Sequence, residues 1–264
     1  MTLVGLSSLY IFLRGEPFEN VIKEIQSEKE DRLNPDIWEI VDEGHHSITH
    51  KSVKLIADLS SQGYKFTFHS PFGGINIADL DKEKRFGSLA RLKKSLESAA
   101  ESEAKAVVLH PGLKMKNKNQ TIAERLNEES ILYLYEYCKS LGIEFTLENM
   151  NPNTQYFMTK PSDFEELFEK NKVRLKITFD IGHANIGSEV SAFISRLSDT
   201  FAIVHSHDNR GDMDEHLGIG DGSVDWKGVT SQLIKSGFKG IYIVESVMKP
   251  FDSVAKLKEM LWSF

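Results

Sequence analysis

Six residues of this chain combine metal-binding chemistry with a recurrent position. His69, His110, Glu148, Asp180, His205 and Glu245 each close a short apolar, β-branched or aromatic run. Three more follow at close range: His183, three residues after Asp180, and the pair Asp214 and His216 in a glycine-bounded segment after the run that ends near His207. Imidazole and carboxylate together suit zinc, manganese or iron better than calcium or magnesium alone. Nine ligands exceed what one ion can use and carboxylates bridge well, so the expectation is a cluster of two or three ions. Taken singly each residue is ordinary. A strand-end histidine commonly sits hydrogen-bonded in a core, and an isolated acid at a loop start is usually a helix cap. Six of eight runs ending this way is not ordinary.

The runs themselves say what must position these groups. They begin at Leu3–Ser7 and residues 36–41, 65–69 and 106–110, and continue at Glu144–Glu148, Lys176–Asp180 and residues 202–207 and 241–245. Amphipathic stretches separate them, for example residues 85–102, 122–141 and 225–236, with Gly142 and Gly237 as natural stops. Eight strand-then-helix units in 264 residues, with no linker or repeat, predict an α/β fold. Its expected form is a single (β/α)8 TIM barrel of residues 1–264, close to the roughly 250 residues typical of that fold. A doubly wound open sheet is the competitor, but it does not call for a polar residue at nearly every strand end. In a barrel that face is where catalytic groups converge. Parity agrees: Thr67 and His69, Thr146 and Glu148, Thr178 and Asp180, and His205 and His207 are each two apart and share a face. Phe68, Leu147 and Phe179 between them suit an outer, helix-packed face.

Composition narrows the partners. A net charge of -7 argues against broad capture of nucleic acid on a basic surface, though it leaves room for a few cations beside an active site. Cys138 is the sole cysteine, which excludes an internal disulfide and fits a reducing compartment. Residues 1–13 lack the basic lead and cleavage site of a signal peptide, and no apolar run nears the roughly 20 residues needed to cross a bilayer. The expectation is a cytoplasmic protein with no membrane partner. His45, His46 and His50 read as solvated, and the aromatic residues scattered over the helices read as core.

The segments His69-Ser70-Pro71-Phe72, His110-Pro111-Gly112, Leu147-Glu148-Asn149, Asp180-Ile181-Gly182-His183, His205-Ser206-His207-Asp208, Asp214 to Gly220 and Glu245-Ser246, in this order, resemble the endonuclease IV family within the xylose-isomerase-like barrels. The resemblance runs from about Phe68 to Ser246. It implies one zinc on His69, His110 and Glu148, a second bridged by Glu148 and held by Asp180, His205 and Glu245, and a third on His183, Asp214 and His216. It also implies cleavage of damaged duplex DNA on the 5′ side of an abasic site. Glu148 is then the catalytic residue that holds or deprotonates the attacking water, while the metals stabilise attacking and leaving oxygens. Phe72 stands where that family carries an aromatic residue that helps displace bases, usually a tyrosine. Lys114, Lys116 and Lys118 form a basic loop after His110, and Arg210 follows the seventh strand, so Phe72, Lys114, His207 and Arg210 are the substrate-binding candidates. The alternative is a sugar or sugar-phosphate isomerase or epimerase of the same superfamily. It needs one ion on Glu148, Asp180, His205 and Glu245, with two carboxylates moving protons. A non-catalytic ligand-binding barrel ranks third.

Overall fold

In a computed structural model that describes residues 2–27, 34–115 and 119–262, the eight runs close into one parallel barrel. Its strands are β1 (Leu3–Ser7), β2 (Trp38–Val41), β3 (Phe66–His69), β4 (Ala106–Leu109), β5 (Glu144–Glu148), β6 (Lys176–Asp180), β7 (Phe201–Ser206) and β8 (Ile241–Val244). Each pairs with the next, and β1 with β8 closes the ring. The helices are α1 (Leu9–Leu13), α2 (Phe18–Gln26), α3 (His50–Ser61), α4 (Lys82–Glu101) and α5 (Gln120–Leu141). They continue as α6 (Pro161–Asn171), α7 (Ile181–Ile186), α8 (Val190–Leu197), α9 (Trp226–Lys235) and α10 (Pro250–Trp262). The chain is therefore a TIM barrel, and the open-sheet competitor falls. No helix among the described residues is long and apolar enough to cross a membrane.

Local chemistry explains the boundaries. Asp81 caps α4 by accepting the amides of Glu83 and Lys84, and Asp225 caps α9 at Gly228. Pro161 opens α6, where its missing N–H costs nothing. Gly142 ends α5 at φ 72°, a left-handed turn that a side chain would oppose.

Strand parity sorts the core into two. Phe66, Phe68, Val107, Leu109, Phe145, Leu147, Ile177, Phe179, Tyr242 and Val244 face outward into the main apolar cluster beneath the helices. The inward residues stack in tiers along the barrel axis, as closed parallel barrels require. At the bottom Ile37, Ala106, Val108, Ile203 and Ile243 form a separate dry plug. Gly5 belongs to this tier because a Cβ there would lie 2.5 Å from Ile37 and 2.7 Å from Ile243. Above it sit Glu39, Thr67, Thr146 and Thr178, and above those the metal-competent side chains. Phe68, Leu147 and Phe179 thus face outward and Thr67, Thr146 and Thr178 inward, as parity demanded.

Two expectations need correction. His46 is fully buried rather than solvated: it packs against Phe12 and Phe18, and its Nε2 lies 2.8 Å from the Glu16 carbonyl oxygen. His45 and His50 are exposed, as read. Among helix aromatics, Phe164 and Phe193 are core, but Phe86, Tyr133 and Trp262 face solvent.

Candidate metal centre

All six strand-end residues gather at the carboxyl end of the barrel, joined by His183, His207, Asp214 and His216. Their ligand atoms fall into four groups, in each of which they lie within 4.8 Å of one another: His69–His110–Glu148, Glu148–Asp180–His205–Glu245, Asp180–His183–His207 and His207–Asp214–His216. Glu148 is the hinge between the first two. Its Oε2 lies 2.9 Å from His110 Nε2 and 3.4 Å from His69 Nε2, while its Oε1 lies 3.1 Å from His205 Nδ1. His205 Nδ1 also faces Glu245 at 3.4 Å and Asp180 at 3.8 Å.

The set His183, Asp214 and His216 does not close by itself. His183 Nε2 is 3.0 Å from Asp214, and His216 Nε2 is 3.6 Å from the same carboxylate. His207, a substrate-binding candidate by sequence, sits between them. Its Nε2 is 3.2 Å from Asp180 and 3.7 Å from Asp214, and its ring stacks on His216 at 4.0 Å. Gly182 is what admits it, since a Cβ there would lie 2.0 Å from the His207 ring.

The donor set fits a metal on an observation independent of ligand counting. His69, His183 and His216 each donate Nδ1–H to a backbone carbonyl, of Ser70, Asn149 and Glu245, at 3.0, 2.8 and 3.0 Å. That commits Nδ1 as the donor and turns Nε2 toward the carboxylates, where its lone pair would serve a metal once the Nε2 proton is displaced, the usual arrangement for a ligating imidazole. Glu148 Oε2 is sealed from solvent and lies 2.9 Å from His110 Nε2 without the alignment of a hydrogen bond. Asp180 serves twice: its Oδ1 caps α7 at the His183 amide, 2.6 Å away, while Oδ2 faces the site.

The electrostatics are those of a proton-holding cage. Burial alone would raise Glu148, but His205 and His110 hold it well below the usual carboxylate range. Burial pushes Glu245 up, and the charge of His205 offsets this only in part. Burial would lower His69 and His207, yet Glu148 holds the first and Asp180 the second up to about 9. His110 goes the other way: burial prevails over the pull of Glu148 and lowers it.

The remaining candidates are less converged. Phe72 stacks on His110 at 5.6 Å, with its amide on Glu43 Oε2 at 2.8 Å. Tyr156, which sequence reasoning passed over, meets the same imidazole edge-on at 5.5 Å. Lys114 instead lines a groove of about 370 Å³ with Glu124, Glu128, Asp163 and Glu166, apart from every metal-competent residue. Lys116 and Lys118 lie outside the described residues. Arg210 is bound to the Glu215 carboxylate.

Three silent residues also shape the site. Asn149 clamps β6 to β5 through the Asp180 amide and carbonyl, at 2.7 and 3.0 Å. Asp208 is fully buried and accepts from the amides of Gly220 and Val224 and from Trp226 Nε1, pinning the loop that carries Asp214 and His216. Glu39 lies behind His205. A polar residue inside an apolar run was the only signal for Glu39, while Asn149 and Asp208 stood in the matching segments without a role being read for either.

Against known families, residues 34–261 match the xylose isomerase-like TIM barrel model. The chain belongs to the xylose isomerase-like TIM barrel family. The narrower endonuclease IV assignment does not follow from that match. An uncharacterised protein of Methanocaldococcus jannaschii, MJ1311, is 32% identical over 236 residues, covering 86% of this chain and 80% of that one. Among solved structures, a D-tagatose 3-epimerase-like protein superposes with a TM-score of 0.86 at 29% identity, over 99% of this chain and 96% of the other. An L-ribulose 3-epimerase superposes with a TM-score of 0.80 over 100% and 95%, and at 13% identity it speaks for the fold alone.

Proposed function

We propose that this protein is a divalent-metal-dependent epimerase or isomerase that moves a proton on the carbon beside the carbonyl of a small sugar or sugar phosphate. This reverses the order expected from sequence. The observation that carries it is the strand-borne group Glu148, Asp180, His205 and Glu245, whose ligand atoms lie within 4.8 Å of one another and which brings one glutamate from β5 and one from the end of β8 to the same candidate ion site. Two carboxylates at one site are enough to take a proton from a carbon and to return one. A Mn2+ or Zn2+ ion held by these four residues would polarise a carbonyl and its neighbouring hydroxyl. Glu148 takes the proton from the carbon between them, and Glu245 returns one on the opposite face. Phe72 and Tyr156, packed on His110, give the apolar face of a sugar ring or chain a surface to lie against. The kinship to a D-tagatose 3-epimerase-like protein supports this substrate class.

Duplex DNA fits less well. A protein that grips a phosphate backbone needs converging cations, and here Arg210 is engaged by Glu215 while Lys114 lines a groove that contains none of the metal-competent residues. The phosphodiester reading keeps one specific support, the additional groups around His69, His110, His207 and His216 that a single-ion epimerase does not need. The deciding experiment incubates Mn2+-loaded protein with a panel of ketoses and ketose phosphates in D2O, beside an end-labelled duplex bearing an abasic-site analogue. The account expects deuterium at the carbon next to the carbonyl, abolished by Glu245→Gln and largely retained by His69→Ala. Strand cleavage without sugar exchange, lost in His69→Ala, would instead establish the hydrolase.

A further inference from the structure

Among the described strand residues, Glu39 is the acid that faces the barrel interior yet belongs to none of the four metal-competent groups. It has no exposure to solvent, and no lysine or arginine approaches it among the described ion pairs. Sealing a carboxylate this way is costly unless a partner or a function compensates. Its Oε2 receives two contacts, His205 Nε2 at 3.3 Å and the Thr67 hydroxyl at 3.2 Å, and Thr67 is its register neighbour on β3.

His205 differs from the other imidazoles of the site in orientation. His69, His183 and His216 face the carboxylates with Nε2 and spend Nδ1–H on a backbone carbonyl. His205 is reversed. Its Nδ1 faces Glu148, Glu245 and Asp180, so its Nε2 points down the barrel axis. There the backbone carbonyls are committed to the strand ladder, so a side chain has to take the Nε2 proton. Glu39 is that side chain.

We propose that Glu39 is a positioning residue for the metal centre: it holds His205 as the Nε2–H tautomer, so that Nδ1 is the ligand atom, and Thr67 fixes the Glu39 carboxylate from the side. This rests on the four-residue group being a metal site, and not on which substrate is turned over. A carboxylate behind a ligating imidazole orients the ring and raises its basicity, and losing one typically weakens metal binding about 10–100-fold.

The test uses the full chain labelled with 15N-histidine, titrated with Zn2+ alone and followed at the His205 ring nitrogens, assigned with His205→Asn. The wild type is expected to show zinc on Nδ1 and the proton on Nε2. Zinc affinity at this position should fall about 10–100-fold in Glu39→Leu, and by less in Glu39→Gln, whose amide oxygen still accepts the N–H without the charge. Unfolding of the metal-free variants reports whether each is folded. If the leucine variant does not fold, the isosteric glutamine variant carries the test alone. A wild-type His205 protonated on Nδ1, or Glu39→Gln binding zinc at His205 as tightly as wild type, overturns the proposal. Failure of every sugar assay would sink the proposed substrate and leave this result untouched, because the measurement reads only metal and proton.

Discussion

The metal-competent residues come from two kinds of chain. Glu148, Asp180, His205 and Glu245 lie in or directly after strands, fully buried or nearly so, each held by a ladder that spans the barrel. Asp214 and His216 lie on the long segment between β7 and α9, more open to solvent, with His216 in a left-handed conformation at φ 48°. The first group is set by the fold itself. The second is set by one buried acid, Asp208, which stitches its loop to Gly220, Val224 and Trp226. Rigid scaffolds position catalytic groups, and loops vary what is done with them. The difference therefore separates the chemistry expected of the strand group from a tuning or accessory role for the loop group.

The sharpest way to break that division is to remove one strand acid. Glu245→Gln should cost proton transfer about 10²–10⁴-fold while leaving the fold intact, measured as deuterium uptake into substrate and by thermal unfolding. Next comes Asp208→Asn, which weakens charge-assisted bonds worth about 1.5–3 kcal/mol each. It should lower thermal stability and loosen only metal held near Asp214 and His216, readable by metal analysis after mild chelation.

Proton linkage gives a third, intermediate effect. In metal-free protein His69 and His207 are held up to about 9, and His183 and His205 are raised too. Raised imidazoles contribute stability that is complete below about 6.5, their unfolded value, and is lost as pH climbs through the folded one. Chelator-stripped protein should therefore lose thermal stability between about pH 6.5 and 9. Metal-loaded protein should gain on it across the same window, because ions and protons compete for the same nitrogens. Proton release on metal addition at neutral pH checks the sign directly. The smallest effect belongs to His216→Ala, expected to leave sugar turnover near wild type. A loss as large as that of Glu245→Gln would erase the distinction between strand and loop groups.

Much of this was legible from residue type and spacing. The eight strands, their inward parity and the six strand-end candidates follow from a two-residue period that ends in His, Asp or Glu, because a parallel barrel gathers its strand ends at one face, whereas His183, Asp214 and His216 come from short motifs in the loops beyond. What spacing could not convey was depth. Glu39 stands mid-run, where an acid resembles any polar strand residue until its neighbour across the barrel is known to be His205. His46 read as polar loop because the rings of Phe12 and Phe18, distant in sequence, are what enclose it. Asp208 and Asn149 bond to backbone, and backbone demand leaves no mark on composition. Substrate choice was the least legible, because the ligand pattern is shared by barrels that cut phosphodiesters and barrels that move protons. What weighs against DNA is the placement of described cations, Arg210 paired with Glu215 and Lys114 in a groove apart from the metal-competent residues.

The most direct test of the central claim is a stoichiometric one. Metal-free protein is titrated with Mn2+ while solvent deuterium exchange into a turned-over ketose is followed. The rate should rise linearly and saturate at one ion per chain, the ion held by Glu148, Asp180, His205 and Glu245. A rate that stays near zero until two or three ions per chain are bound would contradict it, and would return the site to the multinuclear chemistry that its additional histidines allow.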